Sequence, residues 1–223
     1  MADNIGATNV LNEIRRRAHS AAIPIRVVPR TEIDKAAAGI NHQGVVAITA
    51  RYRYTPLTRL LKSTAPTLAF LDGVTDVNNL GSLLRSAEGA GFTGLVIPSR
   101  RSAAVTSAVR RVSAGAAEVV PVARVDSLGR ALDDARASGV WIVGLAGDAP
   151  ATLWETDALD PPVGLVFGAE DRGLSNPARA RCDVTVSIPL AGRIGSLNVA
   201  VAGAIAMFEI ARRRVRGTVE KSR

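Results

Sequence analysis

The sequence has few of the side chains on which hydrolases, metalloproteins and disulfide-stabilised proteins depend. Its 223 residues include one cysteine, Cys182, and two histidines, His19 and His42. A single cysteine excludes an internal disulfide, and no cysteine and histidine are spaced as ligands of one metal ion. No G-x-S-x-G motif offers a nucleophilic serine. We therefore expect neither a bound metal nor hydrolytic chemistry.

Targeting and membrane segments are also missing. The polar start, MADNIGATN, lacks the charged and then apolar regions of a signal peptide. The longest apolar stretch with helical spacing, from Leu197 to Ile210, is interrupted by Asn198 and Glu209 and is shorter than the roughly 20 residues that span a bilayer. We expect a protein of the reducing cytoplasm, without a membrane segment.

The glycine motifs of the common nucleotide-binding proteins do not occur either. The chain has no G-x-G-x-x-G after its first predicted strand and no G-x-x-x-x-G-K-[ST]. These absences argue against a Rossmann dinucleotide enzyme and against a nucleoside triphosphatase. The second predicted strand ends instead in Pro98-Ser99-Arg100-Arg101, a basic tip suited to phosphate.

What the chain does have is positive charge. The net charge is +8 and the isoelectric point is near 10.8, which favours an anionic partner, nucleic acid before membrane. Residues 1–66 carry a net +6 and residues 67–223 a net +2, so the N-terminal part is the more basic. Solvated surface charge is the alternative for any single residue. The candidates for RNA backbone contacts are Arg51, Arg53, Arg100, Arg101, Arg110 and Arg111.

The spacing of apolar residues predicts two α/β regions. In residues 1–50 it predicts helices at 9–20 and 31–39 and strands at 23–29 and 45–50. Residues 51–66, with four basic residues and two prolines, are typical of a linker. From residue 67 onward, strands rich in Val, Leu and Ile alternate with helices, which predicts a parallel sheet covered on both faces. The predicted strands there are 68–74, 94–98, 118–125, 141–147, 163–169 and 184–190, and the helices are 80–90, 105–112, 127–139 and 196–214, with an irregular piece at 176–181.

Polar residues follow several of these strands, at the edge where ligands of parallel sheets lie. Asn79 precedes a helix that carries Arg85, and it either caps that helix or contacts a ligand. Arg85 neighbours apolar positions, where a guanidinium is costly without an anion, so phosphate binding is favoured over a structural ion pair. Glu170 is a ligand contact or a cap, and Ser196 could cap the last helix.

Three blocks together resemble motifs one, two and three of the SpoU/TrmH class of SPOUT RNA 2′-O-ribose methyltransferases. They are NNLGSLLRSAEGAGF, VGLVFGAEDRGLS and IPLAGRIGSLNVAVAGAIAMFE, within residues 67–214. The resemblance implies a methyltransferase domain at 67–216 with a basic tail at 217–223. It also implies that the C-terminal chain forms a trefoil knot around S-adenosyl-L-methionine, whose crossings need the glycines of the last two blocks.

The N-terminal stretch AAIPIRVVPRTEIDKAAAGINHQGVVAIT resembles the second half of an L30e-like RNA-binding domain. That domain occurs in the branch of the family that methylates a guanosine of 23S ribosomal RNA. The resemblance implies that residues 1–50 are a partial, truncated form of it, because the opening strand and helix are missing before Ile14.

The resemblance also implies the roles of individual residues. Arg85 would pair with an RNA phosphate and help to deprotonate the ribose hydroxyl, and the very high pKa of guanidinium supports the phosphate contact better than the base. The other catalytic residues would be Asn79, Glu170 and Asn198, and the family works as a homodimer. The cofactor contacts would be Gly168, Ile188, Leu190, Ser196 and Leu197, with Leu145 after the fourth strand.

Two alternatives stay open on the sequence. The same chemistry could act on a tRNA ribose or on an antibiotic-resistance site in 23S ribosomal RNA. A protein of another class, which binds RNA or assists ribosome assembly without catalysis, is also compatible with a shortened N-terminal module.

Overall fold

The chain folds as two compact units, Met1–Arg51 and Tyr52–Arg223, in a computed structural model that describes residues 1–6, 8–39, 41–160 and 162–220. The first unit contains the two predicted helices, α1 (Asn9–Ser20) and α2 (Arg30–Ala37). The side chain of Thr8 caps α1 by accepting from the backbone N–H of Leu11. Both helix predictions in this unit are therefore confirmed.

The two strands predicted in the first unit are wrong. Within its described residues, the only β pairing is an isolated bridge between Ala2 and Val28. The apolar side chains behind the prediction are not buried, since Val27 is 61% exposed and Ile48 is 98% exposed. The backbone of Val28 bonds instead to Met1 and Asp3, so the start of the chain occupies the place of a neighbouring strand. An alternating pattern without a paired strand does not form a sheet.

The second unit is built on a parallel sheet of seven strands in the order β3-β2-β1-β6-β4-β7-β5. All of its strand pairs are parallel, as the apolar strands predict. The predicted strand at 118–125 is shorter than expected because Ala116–Glu118 forms a 3-10 turn. The strands are β1 (Thr67–Asp72), β2 (Gly94–Pro98), β3 (Val122–Val125), β4 (Trp141–Leu145), β5 (Ala151–Thr152), β6 (Val163–Gly168) and β7 (Val184–Ser187).

Six helices accompany the sheet in the part of the second unit that the structure describes. The last one begins at Val199 rather than Ser196 and reaches Glu220, so residues 217–220 continue it and are not a separate tail. Residues 221–223 of the predicted tail lie outside the described residues. The piece expected to be irregular contains a short helix. The helices are α3 (Leu57–Leu61), α4 (Val77–Gly89), α5 (Ser107–Val112), α6 (Leu128–Ala137), α7 (Asn176–Arg179) and α8 (Val199–Glu220).

Residues 52–66, which we predict as part of a linker, are folded with the second unit. Leu60 of α3 is buried. The hydroxyl of Tyr54 accepts from the backbone N–H of Val105, and the backbone N–H of Thr55 donates to Val122 of β3. The prolines of this segment start α3 and precede β1, so they mark turns within the unit rather than a flexible connection.

The sheet is buried on both faces. Along β1, Leu68 and Phe70 belong to the cluster under α6 and α3, whereas Ala69 and Leu71 belong to the cluster under α4, α5 and α8. This alternation follows from the strand period of two residues. The helices α4 and α8 pack closely, because a Cβ on Gly203 would lie 2.3 Å from Leu83 Cδ2. Such burial on both faces leaves the strand ends as the place for ligands.

One buried carboxylate holds the far part of α8 in place. The Glu209 side chain is only 5% exposed and accepts from Arg212 at 2.7 Å and from Arg213 at 2.8 Å. Arg213 also donates to the backbone carbonyl of Trp154 at 3.1 Å. The hydrogen bond from Arg212, reinforced by Arg213, lowers the pKa of Glu209 to about 2. The ionised carboxylate therefore links α8 to the turn that follows β5.

Replacing Glu209 by Gln should destabilise the fold in a pH-dependent way. The folded pKa is depressed from 4.5 to about 2, so the contribution is complete above pH 4.5 and is lost as the pH falls towards 2. We expect a loss of about 3 kcal/mol in the free energy of unfolding at pH 7, and less than half of that by about pH 3. Urea unfolding at several pH values measures the difference.

Asp133→Asn is the matched control, because Asp133 pairs with Arg181 at 3.0 Å while half exposed to solvent. Its effect should be smaller, because an ion pair exposed to solvent contributes little to stability. A loss of stability in Glu209→Gln that stays constant from pH 7 to pH 3 would contradict a role for the charge.

Candidate active site

A cavity of about 550 Å³ lies at the carboxyl ends of β4, β6 and β7. Its walls come from the strand ends at Leu145, Gly168 and Val186 and from the segment that leads into α8. Two acidic residues that the sequence interpretation missed, Asp148 and Asp171, also line it. Their position just after β4 and β6 was the available signal, because loops at this edge of a parallel sheet face the ligand.

All six residues predicted as cofactor contacts line this one cavity. Gly168 is buried, Leu145 and Ile188 are half-buried, and the remaining three lie on the exposed segment before α8. The walls are thus largely apolar, with backbone groups accessible where the chain turns. The six are Leu145, Gly168, Ile188, Leu190, Ser196 and Leu197.

The end of β6 can be occupied only by glycine. A Cβ on Gly168 would lie 2.0 Å from the carbonyl carbon of Gly173, because the loop folds back onto the strand end. Backbone hydrogen bonds of 3.1 Å and 2.9 Å between Ala169 and Gly173 close this turn, and Gly173 has a φ of +66°. Gly192 and Gly195 differ, since a Cβ on either would meet no other atom within 4 Å. The close backbone approach expected of all these glycines is therefore present at Gly168.

Three predicted catalytic residues form a chain of hydrogen bonds beside the cavity. Asn198 Nδ2 donates to Asn79 Oδ1 at 3.0 Å, and Asn79 Nδ2 donates to Glu170 Oε1 at 2.6 Å. The Asn198 Oδ1 in turn accepts from the backbone N–H groups of Ala200 and Val201 at 2.8 Å and 3.3 Å. We call Asn198, Asn79 and Glu170 the polar relay. It joins the loops that follow β1, β6 and β7.

The caps of α4 and α8 explain why the relay runs in this direction. Asp76 caps α4 by accepting from the backbone N–H of Asn79 at 2.8 Å, which leaves the Asn79 side chain free. Asn198 caps α8, so its amide oxygen is committed to the helix and its NH₂ must face Asn79. The suggested caps were Asn79 and Ser196, and both suggestions are wrong.

Arg85 lies apart from the relay. It is exposed on α4 and forms no hydrogen bond or ion pair with any of the described residues. The expectation that its guanidinium is desolvated among apolar neighbours is therefore wrong, because Leu83, Leu84 and Ala87 point into the core while Arg85 points to solvent. Six residues of helix separate it from Asn79, about 9 Å along the axis. The structure thus leaves this cation free for an external anion.

The residues predicted to contact RNA differ in their exposure and in whether they already have an ionic partner. Arg110 is half-buried and pairs with Glu118 at 2.5 Å, so its charge is partly neutralised. Arg100 and Arg101 line a second cavity at the ends of β1 and β2. The exposed members of the set are Arg51, Arg53, Arg100, Arg101 and Arg111.

Neither a metal-binding cluster nor a reactive thiol is present among the described residues. Among them, no three His, Cys, Asp or Glu side chains are grouped to hold a metal ion. Burial raises the pKa of the Cys182 thiol to about 11, so it stays protonated at neutral pH and is a poor nucleophile. Within the same residues, no helix is long and apolar enough to cross a bilayer.

Known proteins match both units of the chain. Residues 66–208 match the sequence model of the SpoU rRNA Methylase family, and residues 4–55 match that of the RNA 2′-O ribose methyltransferase substrate-binding domain. The chain is 41% identical over 210 residues to the 23S rRNA (guanosine-2′-O-)-methyltransferase RlmB of Shewanella oneidensis, covering 92% of this chain and 84% of the relative. It is 46% identical over 179 residues to an uncharacterised tRNA/rRNA methyltransferase of Synechocystis, covering 78% of this chain but only 46% of that relative.

Solved structures agree with the sequence relatives. The AdoMet-bound rRNA methyltransferase of Sinorhizobium meliloti matches with a TM-score of 0.79 and 28% identity, covering 92% of this chain and 77% of that one. The SpoU methyltransferase AviRb of Streptomyces viridochromogenes, in complex with AdoMet, matches with a TM-score of 0.67 and 32% identity, covering 74% and 66% of the two chains. With most of its length matched in this way, the chain belongs to the SpoU rRNA methylase family.

Proposed function

We propose that this protein transfers a methyl group from S-adenosyl-L-methionine to the 2′-hydroxyl of a guanosine ribose in 23S ribosomal RNA, in the cytoplasm. The observation that carries the proposal is the adjacency of the 550 Å³ cavity and the polar relay at one edge of the sheet. The identity of 41% with RlmB over most of the chain supports the choice of RNA and nucleotide.

The cavity suits an adenosyl cofactor. Leu145, Ile188 and Leu197 offer apolar surface to an adenine ring, and the turn at Gly168 places backbone in the wall of the cavity. The carboxylates of Glu170 and Asp171 suit a sulfonium charge, whereas that of Asp148 already pairs with Arg179 at 2.9 Å. When bound, the cofactor supplies a methyl group already activated for displacement by its positive sulfur. The protein then has to bring the ribose oxygen into line and stabilise the charge that develops there.

The chain's own residues divide that task. The relay holds the Glu170 carboxylate by one oxygen, and its Oε2 forms no hydrogen bond with the described residues. In the proposed mechanism this free oxygen orients the ribose hydroxyl and accepts its proton. A guanidinium is not deprotonated in proteins, so Arg85 binds the neighbouring phosphate and stabilises the developing oxyanion, and it does not act as a base.

A homodimer brings these parts together. Within one copy, Arg85 lies about 9 Å along the α4 axis from Asn79 and contacts none of the relay residues. Exposed apolar residues of α8 lie beside α4: Phe208 is 51% exposed and lies 3.3 Å from where a Gly89 Cβ would be. Val201 of the same helix is 49% exposed. A second copy packed on α4 and α8 would cover this surface and bring Arg85 to its partner's cavity.

The finer features of the fold belong to the same proposal. We infer that residues 188–198 pass through a loop to form a trefoil knot, which would explain why backbone meets backbone at Gly168. We also infer that the first unit is an L30e-like RNA-binding domain, an assignment supported by the match of residues 4–55 to the family's substrate-binding model.

The direct test is methyl transfer from labelled S-adenosylmethionine to fragments of 23S ribosomal RNA, followed by mapping of 2′-O-methyl groups. We expect one guanosine to be methylated. Cofactor binding without transfer to any ribosomal or transfer RNA would favour the binding-only alternative.

Replacing Arg85 by Ala should lower the turnover about 100-fold, because an electrostatic contact to the transition state is lost. The affinity for S-adenosylmethionine, measured by calorimetry, should stay near that of the unmodified protein. Arg85→Lys should recover only part of the activity, since lysine keeps the charge but loses the forked geometry. Arg130→Ala, at another exposed arginine, is the control and should leave turnover unchanged.

Mixing two inactive variants tests whether the site is shared. In a homodimer with sites built from both copies, Arg85→Ala and Glu170→Gln complement each other, because each mixed dimer contains one site with both native residues. Coexpression should therefore restore about a quarter of the native turnover. Recovery no greater than the sum of the two variants would contradict a shared site.

Replacing Asn198 by Ser separates the relay from the helix cap. Serine is a good N-cap, so the stability of α8 should change by less than about 0.5 kcal/mol. It is too short to reach Asn79 as the asparagine amide does, so the Glu170 carboxylate loses its fixed orientation and turnover should fall about 10-fold or more. Thermal unfolding and single-turnover kinetics measure the two effects. Native turnover with a broken relay would remove these residues from the mechanism.

A further inference from the structure

A second cavity, of about 570 Å³, lies at the same edge of the sheet, at the ends of β1 and β2. We call it the arginine cavity, because the guanidinium-bearing residues Arg100, Arg101 and Arg172 line it. Arg100 and Arg101 are on our list of RNA contacts, whereas Arg172 is absent from every site we predict from sequence. The proposed mechanism uses none of the three.

The charges in the arginine cavity are not balanced by the protein. Neither Arg100, Arg101 nor Arg172 forms a hydrogen bond or ion pair with the described residues. One carboxylate lines the cavity, that of Asp72, and its Oδ2 already accepts from the backbone N–H of Ser175 at 2.7 Å. Three cations that share one cavity repel each other unless an anion enters. A bound anion would therefore reduce the repulsion between the three guanidinium groups.

The backbone is shaped to hold the arginines there. Gly73, at the end of β1, has a φ of +86°, and a Cβ on it would lie 2.8 Å from Arg172 Nη2. The end of the Arg172 side chain thus lies close to the end of β1, where the positive φ favours glycine. Arg101 has a φ of +55°, a conformation that costs about 1 kcal/mol for a residue with a Cβ. Backbone positions of positive φ thus border the arginine cavity at Gly73 and at Arg101.

The side chains that line the arginine cavity indicate which kind of anion fits there. The fork of a guanidinium matches the oxygens of a phosphate and binds it in bidentate fashion. The cavity is larger than a phosphate alone, and Pro98, Leu128 and Pro177 give it an apolar wall. A nucleotide with its phosphate fits both the charge and the apolar surface.

The arginine cavity adjoins the proposed cofactor cavity. The loop after β6 separates them, since Gly173 lines the first cavity while Arg172 and Leu174 line the second. The strands β2, β1 and β6 are consecutive in the sheet, and neighbouring strands are about 4.8 Å apart, so the end of β2 is about 10 Å from the end of β6. An RNA chain with a ribose at the first cavity reaches the second within a short stretch of backbone.

We propose that the arginine cavity binds the phosphate of a nucleotide flanking the methylated one, and that this contact sets the register of the RNA. The inference rests on the proposed function, since it places the target ribose at the first cavity. A phosphate contact carries no base information, so the cavity fixes which position along the chain is methylated and leaves recognition of the base to other contacts.

The test uses RNA fragments in which single phosphates are replaced by neutral methylphosphonates, one position at a time. For the native protein, one flanking position should weaken RNA binding about 10-fold and the others by much less. For Arg172→Gln, binding should be weaker from the start, and the same methylphosphonate should have almost no further effect. The slope of log affinity against log salt should also fall by about 0.7, as expected for one lost phosphate contact on single-stranded RNA.

Control variants and cofactor binding separate this proposal from its alternatives. Arg172→Lys should recover part of the affinity, and Arg130→Gln, an exposed arginine outside the cavity, should not change the position of the sensitive phosphate. Calorimetry should show native affinity for S-adenosylmethionine in Arg172→Gln, which also verifies that the variant is folded. Weaker cofactor binding with unchanged RNA binding would assign the arginines to the cofactor's carboxylate and overturn the proposal.

The proposal is equally overturned if every methylphosphonate acts alike on the native protein and on Arg172→Gln. Failure of the proposed function has a different signature. In that case the native protein would methylate none of the RNA fragments, whatever the binding pattern of the variants.

Discussion

The hydrogen bond from Asn198 to Asn79 joins residues 119 positions apart, and the candidate site depends on it. The amide of Asn198 can make this bond because its oxygen is engaged by the start of α8. Asn79 can then present its own NH₂ to Glu170, since the cap of α4 is Asp76. One helix cap therefore determines the orientation of the next two side chains. A carboxylate held in this way loses little entropy when substrate binds, which is a condition for efficient catalysis.

The order of strands in the sheet explains how one edge serves two ligands. The three ends that line the proposed cofactor cavity belong to the neighbours β6, β4 and β7, and those that line the arginine cavity belong to β1 and β2. Only the loop after β6 lines both cavities. Its acidic residues Glu170 and Asp171 line the proposed cofactor cavity, and its Arg172 lines the arginine cavity. The two cavities differ in charge accordingly. In the proposed arrangement, a cationic cofactor and an anionic RNA backbone are thereby directed to adjacent places.

Much of the second unit could be predicted from sequence because its signals are local. Fully apolar strands alternate with helices of clear period, and the strand ends carry the polar and glycine-rich segments. The first unit lacks this agreement between apolar pattern, helix period and strand-end residues. Its two apolar segments have the composition of strands, but Ile48 and Val27 remain exposed and the partner of Val28 is the start of the chain. Pairing is a long-range event, and about fifty residues bury too little apolar surface to enforce it.

By itself, the sequence determined the α/β class, the apolar strands, the motif blocks of the family and the residues of the polar relay. Tertiary structure alone decided how those residues are used. Whether Asn79 caps a helix or serves Glu170 depends on Asp76 and Asn198, and whether Arg85 is buried depends on how α4 rotates onto the sheet. Arg172 joined Arg100 and Arg101 only when β1 was set between β6 and β2. The physical reason is that composition and period are properties of neighbours in the chain, whereas capping, burial and shared charge are properties of neighbours in space.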